Sequence, residues 1–283
     1  MSKSQPVTIT ISKAFGLFGK LLRTHEDEGV TMAHWQKPIN DIRARRNHAE
    51  YLKMGCPKVN PDGTVTQPTL LEGEDFARLI LGVDLITPED IETKTGIRYT
   101  DEQKAHAAKT MPTSLETLQA IKADGMMMVF GPSEDSTIIN VRDFEGFSQL
   151  FYSKTGGWYA KDKEKFSRTD KVRGGQWLII RKTPVDGSTS KNWSEQSAMI
   201  KSGDRVPNVA EMSYAVTLYY QVRNMYLLGN VVVRTSSVDA GGLRVIVGDF
   251  DSVGLGVGSN GLDVDGYWDH DRHSFIGVAS ARE

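Results

Sequence analysis

Apolar and polar residues alternate from Val7 to Ile11, the period of a half-buried strand, and Ala14 to Leu22 then reads as a short apolar helix or turn. Met32 to Met54 reads as a helix that Gly55-Cys56-Pro57 breaks, and Pro61-Asp62-Gly63 is a turn signal. Another helix is expected over Glu72 to Leu81. Thr87-Pro88-Glu89-Asp90 then supplies a capping hydroxyl, a first-turn proline and acids at the positive helix end. Thr100-Asp101-Glu102-Gln103 repeats the capping logic, and Thr113-Ser114-Leu115-Glu116 opens a helix to about Ala123.

The pattern changes at Asp124-Gly125. Met126 to Phe130, Thr137 to Val141 and Trp177 to Arg181 are short apolar runs that read as strands. Two helices come next, Trp193 to Ile200 and Val209 to Tyr220. In the second, Val209, Met212, Ala215, Val216, Tyr219 and Tyr220 recur at helical spacing, which predicts one core-facing stripe. Val231 to Thr235 and Leu243 to Val247 return to strand patterns. Helices before and mixed strands after predict an α+β protein, with a mainly helical N-terminal domain over residues 1–124 and a second domain over 125–283.

Composition narrows the class. The 283 residues are 39% hydrophobic and 25% charged, which is globular and argues against global disorder. A formal net charge of -2 shows no electrostatic footprint for nucleic acid, so nucleic acid is not an expected partner. Cys56, the single cysteine, cannot form an internal disulfide or a Cys-rich metal site. The N-terminus lacks a signal peptide's apolar stretch, and no run approaches the roughly 20 apolar residues that cross a bilayer. A cytoplasmic protein without membrane insertion is therefore expected, and display elsewhere would need another route.

No Gly-x-Ser-x-Gly elbow, Walker loop or His-Glu-x-x-His helix occurs, so neither a catalytic residue nor a cofactor is assigned. Asp90 to Ile97 outlines a helix, a glycine turn and a second helix, a loose match to a DNA-reading helix-turn-helix. His25-Glu26-Asp27-Glu28 with His34 reads as a solvated charge run. Asp265, Asp269, His270, Asp271 and His273 gather metal-ligating groups, but their spacing fits neither an EF-hand nor a zinc motif, and no metal is assigned.

The segment from Asp249 to Phe275 stands apart. Val253, Leu255, Val257, Leu262 and Val264 interleave with small and acidic residues, so one face can anchor while the other points outward. The outward set comprises Asp251, Ser252, Gly256, Gly258, Asn260, Asp263, Asp265, Tyr267, Trp268, Asp269, His270, Asp271, Arg272, His273 and Ser274. These residue types dominate adaptable binding surfaces: aromatic rings supply rigid contact area, while Ser, Gly and Asn supply adaptable hydrogen bonds. Tyr267, Trp268, His270, Arg272 and His273 are the expected contact anchors. On composition alone, a glycine-rich polar loop between strands accounts for the same residues equally well.

Several motifs fall in a shared order. Trp177-Leu178-Ile179-Ile180-Arg181, Asn192-Trp193-Ser194-Glu195-Gln196 and Arg205-Val206-Pro207-Asn208-Val209-Ala210-Glu211-Met212-Ser213-Tyr214-Ala215 are followed by Thr235-Ser236-Ser237, by Leu243 to Phe250, and by Ile276-Gly277-Val278-Ala279-Ser280-Ala281-Arg282. Over about residues 175–283 this order resembles the C-type-lectin-like fold shared by formylglycine-generating enzymes and the variable proteins of diversity-generating retroelements. The family pattern departs at Asp249-Phe250 and at Val278-Ala279.

The resemblance implies a C-type-lectin-like ligand-binding domain at the C-terminus, with its variable segment at about 249–275. It excludes formylglycine chemistry, because the paired cysteines that hold copper are absent from this region. It also implies a genetic mark: adenine-directed mutagenesis of AAC-type codons yields Asn, Asp, Tyr, His, Ser, Gly, Arg and Phe but not Lys, Glu, Gln, Met or Trp. Between Asp249 and Phe275 there is no Lys, Glu, Gln or Met, and Trp268 stands as an unmutated template residue. The expected function is that of a non-catalytic, hypervariable binder of a protein or glycan ligand, its oligomeric state open. Two readings compete with it. One is an intracellular regulatory protein with a nucleic-acid-binding N-terminal region and a structural lectin-like domain; the other is an enzyme using the acidic tail with a metal.

Overall fold

The computed structural model describes residues 72–250 and 261–283, together with two short strands, β1 (Lys58–Val59) and β2 (Val65–Thr66), which pair antiparallel. The elements expected before residue 58, the turn at Pro61–Gly63, Cys56 and the His25–Glu28 run lie outside the described residues. The chain divides into two compact units, Met1–Leu71 and Glu72–Glu283.

The second unit opens with α1 (Gly73–Leu81), β3 (Leu85–Ile86), α2 (Pro88–Lys94), α3 (Asp101–Thr110) and α4 (Leu115–Ala123). The caps read from sequence form. Thr87 and Asp90 make a reciprocal capping box on α2, Thr100 and Gln103 another on α3, and Ser114 caps α4. These satisfy backbone N–H groups that a helix start leaves without partners.

β4 (Met126–Phe130) is buried along its whole length because both its faces are covered. Met126 and Met128 pack with Ala77, Ile80 and Leu81 of α1 and with Leu118 and Ile121 of α4, whereas Met127 and Val129 face the larger core. The change of composition at residue 125 therefore marks the start of a central strand, not a gap in packing. The boundary expected there moves to Leu71–Glu72, and the helices of residues 72–124 share one compact unit with residues 125–283.

β5 (Ser136–Thr137) leads into α5 (Ile138–Asp143), then α6 (Phe166–Thr169), β6 (Lys171–Val172), β7 (Trp177–Arg181), α7 (Trp193–Ser197), β8 (Asp204–Arg205) and α8 (Val209–Arg223). The strand expected over Thr137 to Val141 is helix instead. Thr137 and Asn140 close a capping box, and Ile138 and Val141 are buried one helical turn apart, so local capping overrides the β-branched composition. α8 also departs from the single-stripe expectation. Every residue from Val209 to Tyr219 is buried, because the helix packs on β7 on one side and on later strands on another.

Those strands are β9 (Val232–Val238), β10 (Arg244–Gly248), β11 (Asp263–Tyr267), β12 (Ile276–Val278) and β13 (Ala281–Arg282). A five-stranded sheet has the order β3-β4-β7-β13-β8, a four-stranded sheet has the order β11-β10-β9-β12, and β5 pairs antiparallel with β6. The terminal strand β13 pairs antiparallel with both β7 and β8. The architecture is thus mixed helix and sheet, as the α+β expectation has it. Among the described residues, no helix is long and apolar enough to cross a membrane.

Candidate functional site

The site is built on the outer face of the four-stranded sheet. Cross-strand partners share a face, and the register Tyr267↔Arg244, Asp265↔Ile246 and Asp263↔Gly248 continues through Ile246↔Arg234 and Gly248↔Val232 to Ile276. The opposite face carries Val233, Val245, Val247 and Val264 into the main core. Period two therefore assigns Asp263, Asp265 and Tyr267 to the outward side, and the structure agrees: Val264 is buried, Asp265 exposed, Asp263 and Tyr267 half-buried.

From Tyr267 the chain turns through residues 268–275 across one end of this face. Its hold is unusual in kind. Arg234, fully buried at 0% exposure, donates through Nη2 to the carbonyl oxygens of Trp268 and Asp271 at 3.0 and 2.9 Å. Its Nη1 donates to Gln196 Oε1 at 2.8 Å and to the Lys191 carbonyl at 3.2 Å. Gln196 Nε2 in turn donates to the carbonyls of Ser188 and Ile276. Burial pushes the Arg234 pKa down, and Asp269 and Asp271 oppose that shift. Three further main-chain bonds fix the segment: Trp193 N to Asp269 O, Ser190 N to His273 O, and Val232 N to Phe275 O.

The side chains of the segment point the other way. Trp268 is 50% exposed and stacks on His270, with ring centroids 6.2 Å apart and planes 15° from parallel. His273 stacks on Phe275, and Tyr267 meets both rings edge-on. Arg272 reaches Glu195 at 2.9 Å. Backbone N–H donation from Asn192, followed by Arg272, holds Glu195 below the ordinary carboxylate range. Asp269 makes a two-pronged pair with Arg244, whose guanidinium lies 3.8 Å from the centre of the Trp193 ring. Asp271 accepts from the Trp268 N–H at 3.0 Å, closing the turn. Ser274 is exposed.

Asp251, Ser252, Gly256, Gly258 and Asn260 lie outside the described residues, as do Val253, Leu255 and Val257. The residues flanking them are anchored. Phe250 is 1% exposed and packs edge-on against Tyr220 and Tyr226, a burial worth about 1.5–3 kcal/mol. Leu262 exchanges backbone bonds with Leu150 and Tyr152, and Trp158 Nε1 donates to the Val264 carbonyl at 2.6 Å, covering the edge of β11.

Beyond the turn, the open end of the sheet face is a cleft of about 250 Å³ lined by Asn230, Val231, Val232, Ile246, Asp249, Asp263, Tyr267 and Phe275. Burial, with Asp265 and Asp249 nearby, raises the Asp263 pKa. Burial and the carboxylates of Asp265, Asp263 and Asp271 likewise raise that of Tyr267.

The acids and histidines that sequence proximity gathers do not converge. Among the described residues, no group of three or more His, Cys, Asp or Glu side chains surrounds a common point. The helix-turn-helix outline falls on α2 and α3. Its second helix begins with Asp101 and Glu102, Lys104 is tied to Glu92 at 2.8 Å, and Gln103 Nε2 donates to the Ser133 carbonyl. Arg234, Gln196, Trp193 and Arg244 are site residues that the sequence did not mark as such: Trp193, Gln196 and Arg244 lie in motifs that carry the resemblance, and Arg234 is an arginine at the end of the apolar run Val231-Val232-Val233. No protein-family model, curated protein or solved structure matches the chain.

Proposed function

We propose that this chain is a non-catalytic ligand-binding protein, a diversity-generating-retroelement product that displays diversified side chains on a C-type-lectin-like scaffold. One observation carries the reading: the 268–275 segment is held to the framework largely through main-chain carbonyls. Arg234, Trp193 and Ser190 grip oxygens that every residue possesses, whereas Trp268, His270 and Arg272 project outward. The Trp268 and His270 side chains can change while these main-chain bonds stay, which is the physical requirement for a surface altered by mutation. The antiparallel pairing of β7 with β13 brings the two ends of the lectin-like region together and supports the scaffold assignment. Synthesis in the cytoplasm is part of the same proposal, and the ligand is a protein or a glycan.

The test is genomic. A near-copy of the codons for residues 249–275 should lie close by, with adenines at the differing positions and a reverse-transcriptase gene alongside. Invariance of those codons across related cells, with no such copy, overturns diversification.

A further inference from the structure

The cleft at the open end of the sheet face has a chemistry of its own. Its floor is aliphatic, formed by Val232 and Ile246, which cluster with Ile276 and are 5%, 1% and 0% exposed. Tyr267 and Phe275 meet above it with ring centroids 6.2 Å apart and planes at 76°, so two rings form a corner. Asp263 and Asp249 line the same space, and among the described residues no lysine, arginine or histidine does. At about 250 Å³ it is smaller than the roughly 300–1,000 Å³ of small-molecule pockets, which suits a single side chain more than a cofactor or an oligosaccharide.

We infer that this cleft is the anchor pocket for a cationic side chain, the ammonium of a lysine or the guanidinium of an arginine, presented by a protein partner. The inference rests on the binding-surface reading above and narrows its ligand from protein or glycan to protein. Each part of the pocket has a role in such a complex. The aliphatic floor takes the methylene stem, as long basic side chains bury their stems while the head keeps polar company. The aromatic corner offers ring faces to the positive charge. Asp263 supplies the counter-charge; once the cleft closes, a neutral occupant leaves that carboxylate desolvated and unpaired, an arrangement that is costly. Trp268, His270 and Arg272, exposed and directly following the cleft-lining Tyr267 in the chain, offer the partner further contact area. Because Asp263 and Tyr267 belong to the diversified set, cation preference is a property of this variant, carried on a floor outside that set.

The experiment is an amide-NMR titration of the full chain with Nα-acetyl-lysine amide and Nα-acetyl-arginine amide, beside the neutral Nα-acetyl-norleucine amide and methyl β-glucoside. The expected result is saturable shifts centred on Val232, Asp263, Tyr267 and Phe275 with at least one cation, and binding about tenfold weaker for norleucine. Asp263→Asn should weaken cation binding by about the same factor. Tyr267→Leu, which keeps an apolar wall, should weaken it while leaving the thermal midpoint near that of the parent. No localised shift with either cation, equal binding of norleucine, or binding of the glucoside alone overturns the inference. A template repeat without cation binding overturns the pocket and leaves diversification standing; cation binding without a repeat does the reverse.

Discussion

Arg234 grips Trp268 by its carbonyl oxygen, 3.0 Å from Nη2, while the indole of the same residue stands half exposed on the far side. Framework and display meet in that one residue without depending on each other. The main chain is held from within, and the ring stays half exposed.

Arg234 should therefore be far more sensitive to substitution than the aromatic it holds. Arg234→Met removes four hydrogen bonds made by a buried guanidinium and should lower stability by about 3 kcal/mol or more. Trp268→Ala and His270→Ala should each stay within about 0.5 kcal/mol of the parent. Urea unfolding measures all three, and a Trp268→Ala loss as large as that of Arg234→Met would remove the separation of roles.

Arg244 links the turn to α7 through Asp269 on one side and the Trp193 ring on the other. A double-mutant cycle between Trp193→Leu and Arg244→Met should return a coupling of about 1 kcal/mol. A coupling indistinguishable from zero would reduce the stacked geometry to coincidence.

Asp263 gives a pH signature of known sign. Its folded pKa is raised above the ordinary 3.8 by burial, then by Asp265 and Asp249, with Tyr267 on the same face. The folded state therefore binds more protons than the unfolded state between 3.8 and the raised value. This contribution to stability is fully present below the unfolded pKa and is lost as pH rises through the folded one. The difference in urea midpoint between the parent and Asp263→Asn should shift in favour of the variant as pH climbs through that window, and become constant above it. A carboxyl carbon titration of Asp263 by NMR checks the direction independently.

Gly277 sits where β12 passes under Pro184. A Cβ at this position would lie 2.5 Å from Pro184 Cβ and 2.9 Å from Ser188 Oγ. Gly277→Ala should destabilise by about 1–3 kcal/mol through overpacking. Thermal unfolding tests it, and an unchanged midpoint would mean that the Pro184 loop yields freely.

Local chemistry is legible in the sequence wherever it is self-contained. Thr87, Thr100 and Ser114 announce their helices because a cap needs only its own next three residues. The alternation at Asp263, Val264, Asp265 assigns sides because a strand has period two. The run Met126–Phe130 is readable as a strand, but not as one covered by helices on its second face. That depends on Leu118 and Ile121 arriving from a segment that composition sets apart. Thr137 to Val141 misleads because its β-branched content outweighs the Thr137–Asn140 cap in any reading by residue type.

The sequence by itself determined the capped helices and the alternation of sides at Asp263, Val264 and Asp265, since both depend on spacing and side-chain type within a short stretch. Only the tertiary structure decided that Arg234, distant along the chain, would hold Trp268 and Asp271 by their backbones, and that Val232, Ile246, Tyr267 and Phe275 would enclose one cleft. Hydrogen bonds to carbonyl oxygens leave no trace in residue identity, because every residue offers the same acceptor. The pairing of distant strands is set by the energy of the whole core and not by any local pattern.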